Sequence, residues 1–170
     1  EFRRVLFRSR TKSKVRIVKL IEEMIVSKQE VWRQEGVKEI SIYLEFESDL
    51  WLKVNQGMVV QVFDNLLNNS QYWLLSHCKE NENFQPKINI MIYNSGIVEF
   101  SDNGRGISPI DSEAVFEPFF SRRKDGRGLG LYIISDIMSF HNSEITLSEE
   151  LNEFNNRYKF VLDFSSCLVK

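Results

Sequence analysis

The chain has 170 residues, of which 42% are apolar and 27% charged, and this length suits one globular domain with a hydrophobic core. Its net charge of -2, from 22 Lys and Arg against 24 Asp and Glu, offers no general attraction for nucleic acid or an anionic membrane. No apolar stretch approaches the roughly 20 residues that span a bilayer. Cys78 and Cys167 show neither metal-site spacing nor a disulfide pattern. We therefore expect a cytoplasmic domain with a small ligand, without nucleic acid or membrane contact.

The first ten residues differ from the rest of the chain. Residues 1–10 contain four arginines among scattered apolar side chains and show no regular period. We interpret them as an expression or sequencing scar, which leaves residues 11–170 as the domain. A basic tail, or the end of a helix from a longer protein, is the alternative.

The first half of the domain predicts two amphipathic helices separated by two strands. Apolar side chains recur every three or four residues in Lys14–Gln34, and Gly36 provides a stop signal. Lys38–Glu47 and Trp51–Val54 are rich in β-branched and aromatic residues and flank a short polar turn, which predicts a hairpin. A second apolar helical face follows in Gln56–His77, on a segment that also carries several asparagines.

The second half predicts another hairpin, a long loop and a third helix. Isoleucines alternate in Lys87–Tyr93, and an Asn-Ser-Gly turn leads into Ile97–Ser101. The following segment, residues 102–126, has little periodicity, and its length suits a mobile lid. Its apolar anchor is the run Val115, Phe116, Phe119 and Phe120. Leu129–Phe140 then predicts a helix that glycines precede.

Two closing strands complete the pattern, at Glu144–Ser148 and Tyr158–Phe164. Strands occur in hairpins instead of alternating one by one with helices, which disfavours a doubly wound parallel sheet. The expected fold is α/β: a two-layer sandwich with a mixed, mostly antiparallel sheet packed against three main helices.

An Asp-Asn-Gly-Arg-Gly-Ile motif, residues 102–107, directly follows a predicted strand. It places the Asp102 carboxylate at a strand end, and Gly104 and Gly106 let the backbone approach a ligand closely. On its own the motif is equally typical of a tight turn with a solvated aspartate.

A second glycine-rich motif, residues 126–131, opens the third helix. Glycines before a helix leave backbone N–H groups free to face phosphate oxygens, although a flexible linker has the same composition. Leu131 stands where a dinucleotide fingerprint requires glycine, and no Gly-Lys-Ser or Gly-Lys-Thr occurs, which excludes a P-loop.

Two asparagines form the third motif. Asn65 and Asn69 are four residues apart and share one face of the predicted helix. Their amide oxygens can join a Mg²⁺ shell completed by phosphate and water, while helix-surface or capping roles are the alternative.

The motifs occur in a specific order: an asparagine helix, Asp-x-Gly-x-Gly after a strand, Phe-Glu-Pro-Phe-Phe at 116–120, and Gly-x-Gly-x-Gly before a helix. This order resembles the N, G1, F and G2 boxes of the family that unites DNA gyrase, Hsp90, histidine kinases and mismatch-repair ATPases. The resemblance covers residues 11–165, nearly the whole chain, and four ordered motifs are far more specific than any one of them.

The resemblance implies an ATP lid between the two glycine-rich boxes and a set of nucleotide contacts. Asp102 would accept a hydrogen bond from the adenine amino group, and Asn69 would coordinate Mg²⁺ with support from Asn65. The adenine pocket would be shaped by Gly104, Gly106 and Ile107. The phosphates would be enclosed by Gly126, Gly128, Leu129, Gly130 and Leu131. Cationic lid contacts to the γ-phosphate would come from Arg122, Arg123 or Lys124.

Two positions bear on the branch of the family. The gyrase and Hsp90 branches carry a glutamate where this chain has Asn65, and an amide cannot act as a general base, so fast hydrolysis is disfavoured. The Leu-Leu pair and the Phe-rich anchor resemble the histidine-kinase branch. Tyr72 departs from that branch, in which many kinases carry a lysine at this position near the phosphates.

The resemblance therefore implies an ATP- and Mg²⁺-binding catalytic domain of a protein-histidine kinase, which supplies the γ-phosphate to a histidine on a separate domain. The two histidines, His77 and His141, follow predicted helices and lie outside any upstream dimerisation helix. Expected partners are ATP or ADP, an upstream His-bearing dimerisation domain and a response regulator. An ATP-driven clamp or dimerisation module and a non-catalytic nucleotide sensor are the alternatives.

Overall fold

The structure is a computed structural model that describes residues 9–170. Most of the predicted scar lies outside the described residues, so that interpretation stays a prediction. Within residues 9–170 the helices are α1 (Ile17–Gln34), α2 (Gln56–Glu80) and α3 (Gly130–Phe140), and a short 3₁₀ helix follows at Ser165–Cys167. The strands are β1 (Ser13–Arg16), β2 (Ser41–Phe46), β3 (Trp51–Val54), β4 (Lys87–Ile92), β5 (Ile97–Asp102), β6 (Glu144–Leu147) and β7 (Lys159–Asp163). None of these helices is long and apolar enough to cross a membrane.

The predicted two-layer α/β sandwich is confirmed. A five-stranded sheet has the order β2-β4-β5-β7-β6, with β2 and β4 parallel and the other neighbours antiparallel. Ile88, Ile90 and Ile92 of β4 are buried, whereas Asn89 on the opposite face is exposed. One face of the sheet thus forms the core with the three helices, to which α2 contributes the fully buried Phe63.

The first predicted helix loses its first residues to a strand. Residues Ser13–Arg16 form β1, which pairs antiparallel with β3, so pairing with a distant strand outweighs a local helical period. Asp49 marks the junction between strand and helix. Its Oδ2 accepts a hydrogen bond from Arg16 Nε at 2.8 Å, and its Oδ1 accepts one from the Val18 N–H at 3.2 Å. The helix therefore begins at Ile17.

The predicted hairpin between Lys38–Glu47 and Trp51–Val54 is wrong. Strand β2 pairs in parallel with β4, and β3 pairs with β1 in a separate two-stranded sheet. The chain leaves the main sheet between them, where the Ile17 N–H donates to the Leu50 carbonyl at 3.0 Å. A short polar turn is a local signal, whereas pairing depends on which sheet edge buries the apolar side chains of each strand.

The remaining predicted elements are confirmed, with shifts at their ends. Strands β4 and β5 form the second hairpin, and β6 and β7 pair antiparallel. Helix α2 continues past His77 to Glu80, and α3 begins at Gly130 instead of Leu129. Shifts of this size are usual because helix ends fray.

His141 connects helix α3 to helix α2 through hydrogen bonds of its ring. Asn55 caps α2, with its Oδ1 accepting the Met58 N–H at 3.0 Å. The Asn55 N–H donates to Nε2 of His141 at 3.0 Å, and Nδ1 of His141 lies 2.8 Å from the Ile137 carbonyl. Nδ1 therefore carries the proton, and burial lowers the pKa of this imidazole. The neutral ring fastens the end of α3 to the start of α2.

Candidate nucleotide-binding site

A cavity of about 950 Å³ opens between α2, the end of β5, the start of α3 and the segment that joins the two glycine-rich motifs. Most of the predicted nucleotide-binding residues lie on its wall: Asn65, Asn69, Tyr72, Asp102, Gly106, Ile107, Arg122, Arg123, Gly126, Gly128, Leu129, Gly130 and Leu131. Gly104 and Lys124 are not on the wall, since Gly104 is buried beside Asp102 and Lys124 is exposed. The volume lies in the range of small-molecule and cofactor pockets.

Asp102 ends β5 with its carboxylate on the cavity wall. Oδ2 accepts a hydrogen bond from Ser70 Oγ at 2.6 Å, and Oδ1 accepts one from the Gly104 N–H at 2.9 Å. Burial raises the pKa of Asp102, and these two hydrogen bonds oppose the rise. Each carboxylate oxygen has a second lone pair, so Asp102 can accept further hydrogen bonds from a ligand.

Ser70 is a site residue that the sequence analysis missed. It lies on α2 immediately after Asn69, is 3% exposed and donates to Asp102. One signal could have identified it. Ser70 is four residues after Leu66 and four before Leu74, so it interrupts the apolar stripe of α2, and a polar side chain in such a stripe requires a partner.

Residues 102–107, hereafter the carboxylate loop, are braced by the connection between β6 and β7. The Ile107 N–H donates to the Arg157 carbonyl at 2.7 Å, and the Arg157 N–H donates back at 2.9 Å. Side-chain amides of Asn152 and Asn156 donate to the Arg105 carbonyl at 3.0 and 2.9 Å. These contacts come from a segment that follows the loop in the chain, whereas Ser70 precedes it. The sequence analysis did not predict them.

Glycine is required at position 106 of this loop. Gly106 has φ +81°, and a Cβ there would lie 2.7 Å from the Arg157 carbonyl oxygen and 2.8 Å from Asn152 Nδ2. The close approach of the loop to the β6–β7 connection therefore depends on the missing side chain.

The asparagines of α2 divide into two groups. All three, Asn65, Asn68 and Asn69, line the cavity. The buried Nδ2 of Asn65 has no hydrogen-bond partner within residues 9–170, and no side-chain hydrogen bond of Asn69 is found there. Asn68 instead accepts from Lys28 Nζ at 3.0 Å and donates to Asp64 Oδ2 at 3.2 Å, while Lys28 and Asp64 form an ion pair at 2.5 Å. Only the first group offers free amides to a ligand.

The lid comprises residues 108–129 and consists of turns and irregular chain. Asp111 and Arg122 form a two-point ion pair, with Nε to Oδ2 at 3.0 Å and Nη2 to Oδ1 at 2.7 Å. The hydrogen bonds from Arg122 lower the pKa of Asp111. Val115 is buried, whereas Phe119 is 78% exposed, so only part of the predicted apolar anchor packs inward.

Arg123 is the lid cation that reaches α2. Its guanidinium carbon lies 4.1 Å from the ring centroid of Tyr72, which is a cation–π contact. Its buried Nε has no hydrogen-bond partner among residues 9–170. The Asp125 carboxylate, at 3.8 Å, is an ion-pair neighbour beyond hydrogen-bond reach.

A family described as histidine kinase-, DNA gyrase B- and HSP90-like ATPase matches residues 54–166. Among curated proteins, the signal transduction histidine-protein kinase ArlS of Staphylococcus haemolyticus is 27% identical over 85% of this chain and 33% of its own length. The sensor protein kinase WalK of the same species is 28% identical over 65% of this chain and 19% of its own length. The chain thus spans a third or less of these relatives.

Solved structures of histidine kinases share the fold of this chain. The catalytic domain of histidine kinase ThkA superposes with a TM-score of 0.69 at 26% identity, over 91% of this chain and 97% of that domain. The mycobacterial sensor histidine kinase MprB superposes with a TM-score of 0.69 over 88% of this chain and 95% of that chain, and at 19% identity this likeness shows the fold alone. The chain therefore belongs to the histidine kinase-, DNA gyrase B- and HSP90-like ATPase family, as an ATP-binding domain of the histidine-kinase type.

Proposed function

We propose that this chain is the catalytic part of a sensor histidine kinase and transfers the γ-phosphate of ATP to a histidine on a separate domain. The observation that carries the proposal is the Asp102 carboxylate on a cavity whose wall also holds two buried donors, Asn65 Nδ2 and Arg123 Nε, that have no hydrogen-bond partner within residues 9–170. A carboxylate acceptor suits a base with an exocyclic amino group, and unpaired donors suit phosphate oxygens.

The adenine end of the proposed site is the carboxylate loop. Asp102 would accept the adenine amino hydrogen, and its position is set by Ser70 on one oxygen and the Gly104 N–H on the other. Gly106 and Ile107 would form the adjoining wall. Because Gly104 is buried beside Asp102, its proposed role is to orient the carboxylate.

The phosphate end would be the start of α3. Leu129 precedes this helix and provides no side-chain cap, so the first N–H groups of α3 are available to an anion. The wall here is formed by Gly126, Gly128, Leu129, Gly130 and Leu131. Glycines let the backbone lie against phosphate without side-chain interference.

Asn69 is the proposed Mg²⁺ ligand, with Asn65 one turn away. No group of three or more His, Cys, Asp or Glu residues in the described part of the chain could hold a metal. The free amide of Asn69 fits an ion whose remaining ligands are phosphates and water. When bound, Mg²⁺ would neutralise phosphate charge during transfer.

The phosphoacceptor would lie outside residues 9–170. His141 is 2% exposed, and both of its ring nitrogens have partners. His77 packs against Phe84, and its Nδ1 accepts from Arg105 Nε at 3.2 Å. Neither ring lines the cavity. We accordingly propose a His-bearing dimerisation domain and a response regulator as partners, in the cytoplasm.

Transfer is favoured over hydrolysis by the surroundings of Asn65. A hydrolytic relative would need a general base here, and an amide cannot serve as one. The neighbouring carboxylate, Asp64, is bound to Lys28 at 2.5 Å and to Asn68. It is therefore held away from a role in activating water.

The test combines binding and transfer. Calorimetry should show Mg·ATP binding by the domain, and γ-labelled ATP should label the His-bearing domain of the parent protein when the two are mixed. Asn69→Ala should lose labelling, whereas Asn89→Ala, on the exposed face of β4, should retain it. Failure of the folded wild-type domain to bind Mg·ATP would refute the proposal. Binding without labelling would support a nucleotide sensor instead.

A further inference from the structure

We infer that the ring of Tyr72 holds Arg123 at the phosphate end of the cavity, so that the lid supplies the cation that grips the nucleotide. The inference rests on the proposed ATP binding and makes Tyr72 a positioning residue. Its consequence is that phosphate affinity depends on the lid lying against α2.

The contact is part of a three-member stack. The Arg123 guanidinium lies 4.1 Å from the Tyr72 ring centroid, and the Tyr72 ring meets Trp73 edge to face, with centroids 4.9 Å apart and an interplanar angle of 87°. Trp73 adjoins Tyr72 on α2, so it limits the freedom of the ring that receives the lid.

The Tyr72 ring orients Arg123 but does not satisfy the hydrogen-bonding capacity of its guanidinium group. A ring face attracts the cation without accepting its N–H groups in strong hydrogen bonds, and the buried Nε has no hydrogen-bond partner in the described chain. The buried Nδ2 of Asn65, on the wall of the same cavity, also lacks one. Two buried donors without acceptors are costly, and an anion with several oxygens would satisfy both.

The other nearby cations are less suited to this task. Arg122 is bound to Asp111 through two hydrogen bonds. Lys28 is paired with Asp64, and Lys124 is exposed and off the cavity wall. Arg127 and Lys79 line the cavity but are exposed. Arg157 also lines it, but belongs to the β6–β7 connection that pairs with Ile107 of the carboxylate loop, at the proposed adenine end. Arg123 also has an ion-pair neighbour, Asp125 at 3.8 Å, but this contact is beyond hydrogen-bond reach. Arg123 thus combines a fixed orientation with a buried Nε–H that has no acceptor within residues 9–170.

The proposed experiment is a double-mutant cycle on Mg·ATP affinity, measured by calorimetry. Tyr72→Leu and Arg123→Gln should each weaken binding roughly threefold to thirtyfold, the range expected for a partly desolvated cation–π contact. Tyr72→Phe keeps the ring and should stay within about twofold of the wild type. In the Arg123→Gln background Tyr72→Leu should have no further effect, because the cation it positions is gone.

A rescue experiment tests whether Tyr72 positions the cation or only stabilises the folded domain. Tyr72→Lys in the Arg123→Gln background places a cation directly on α2 and should restore most of the lost affinity. Arg33→Gln removes an exposed arginine from α1 and should bind like the wild type. Thermal unfolding of each variant verifies that it is folded.

The outcomes separate the two proposals. Wild-type binding with additive effects of Tyr72→Leu and Arg123→Gln, or with equal losses for Tyr72→Phe and Tyr72→Leu, would overturn this inference and leave the proposed function standing. A folded wild type without Mg·ATP binding would overturn the proposed function, and the inference with it.

Discussion

The carboxylate loop and the lid are both irregular, both contain glycine and both line the same cavity, but they are held in different ways. The loop has a two-way backbone pair between Ile107 and Arg157, two asparagine side chains on one carbonyl and Ser70 on the carboxylate. The lid has internal contacts such as Asp111 with Arg122, the Arg123 contact with α2, and an apolar anchor in which Phe116 meets Phe160 of β7 edge to face. It thus has fewer hydrogen bonds to other elements than the loop.

The difference assigns separate physical tasks to the two regions. A recognition group must be in place before the ligand arrives, because ordering it during binding would cost affinity. The segment that encloses the phosphates must admit and release the nucleotide, so we expect it to open more readily than the carboxylate loop. The predictions below test this division, from the largest expected effect to the smallest.

Asp102→Asn should cause the largest loss of binding. It replaces a charged acceptor that faces the cavity, and hydrogen bonds to charged groups contribute about 1.5–3 kcal/mol, which corresponds to roughly tenfold to a hundredfold in Kd. Calorimetry should show similar losses for Mg·ATP and Mg·ADP, because both share the adenine. A loss confined to ATP would place Asp102 at the phosphates and contradict the assignment.

The same variant should leave the fold intact. Burial raises the pKa of Asp102 above its ordinary value, so ionisation of this group opposes folding as the pH rises above about 3.8. The neutral amide removes that cost, and we expect the free energy of unfolding at pH 7 to stay the same or to rise. Urea unfolding measures it.

Gly106→Ala and Gly128→Ala form a matched pair across the two regions. Both glycines have positive φ, +81° and +68°, and both lack space for a Cβ. Gly106→Ala should destabilise the domain by about 1–3 kcal/mol and lower its Tm by roughly 2–12 °C, because the loop cannot yield. Gly128→Ala should lower Tm less, since the lid can detach locally, yet it should still weaken Mg·ATP binding. Equal decreases in Tm would show that the lid is as firmly held as the loop.

Removing the asparagine brace should have a smaller effect. Asn152 donates to the Arg105 carbonyl and also accepts from the Phe154 and Asn156 N–H groups, at 2.9 and 3.1 Å. Asn152→Ala should therefore cost about 1–2 kcal/mol of stability, and Asn156→Ala, which loses its bond to Arg105, about 0.5–1 kcal/mol. Urea unfolding measures the loss of stability in each variant. A larger loss for Asn156→Ala than for Asn152→Ala would contradict the prediction.

Ser70→Ala should mainly change how the affinity for Mg·ATP depends on pH. Ser70 lowers the pKa of Asp102 against the effect of burial, so its removal raises that pKa further. Adenine recognition requires the deprotonated carboxylate, and the affinity of the variant for Mg·ATP should therefore begin to fall at a higher pH than that of the wild type. Calorimetry between pH 5 and 8 measures the shift. Parallel profiles would indicate that Ser70 has no influence on the protonation of Asp102.

The elements predicted correctly depend on contacts between near neighbours in the chain. The hairpin of β4 and β5 follows from alternating isoleucines and an Asn-Ser-Gly turn, and α2 and α3 follow from helical periods. The wrong hairpin and the missed strand β1 both concern pairing between distant segments, for which one sequence offers no direct signal.

The residues of the candidate site likewise divide into those with a local sequence signal and those that depend on distant segments. Asn65, Asn69 and Asp102 could be singled out in advance, because polar residues at set spacings beside apolar elements indicate a ligand. Ser70 carried only one signal, its place in the apolar stripe of α2, and the sequence did not indicate that its partner is Asp102. Asn152 and Asn156 could not be singled out, because their partner lies on another element and becomes apparent only when the chain folds.

By itself the sequence determined the class of fold, the order of the four motifs and the membership of this ATPase family, since each depends on residue types at short spacings. The tertiary structure alone decided which asparagines are free and which are used by Lys28, which lid cation reaches Tyr72, and what holds the Asp102 carboxylate. These are contacts between segments far apart in the chain, and hydrogen bonding and burial select them only after helices and sheet have packed.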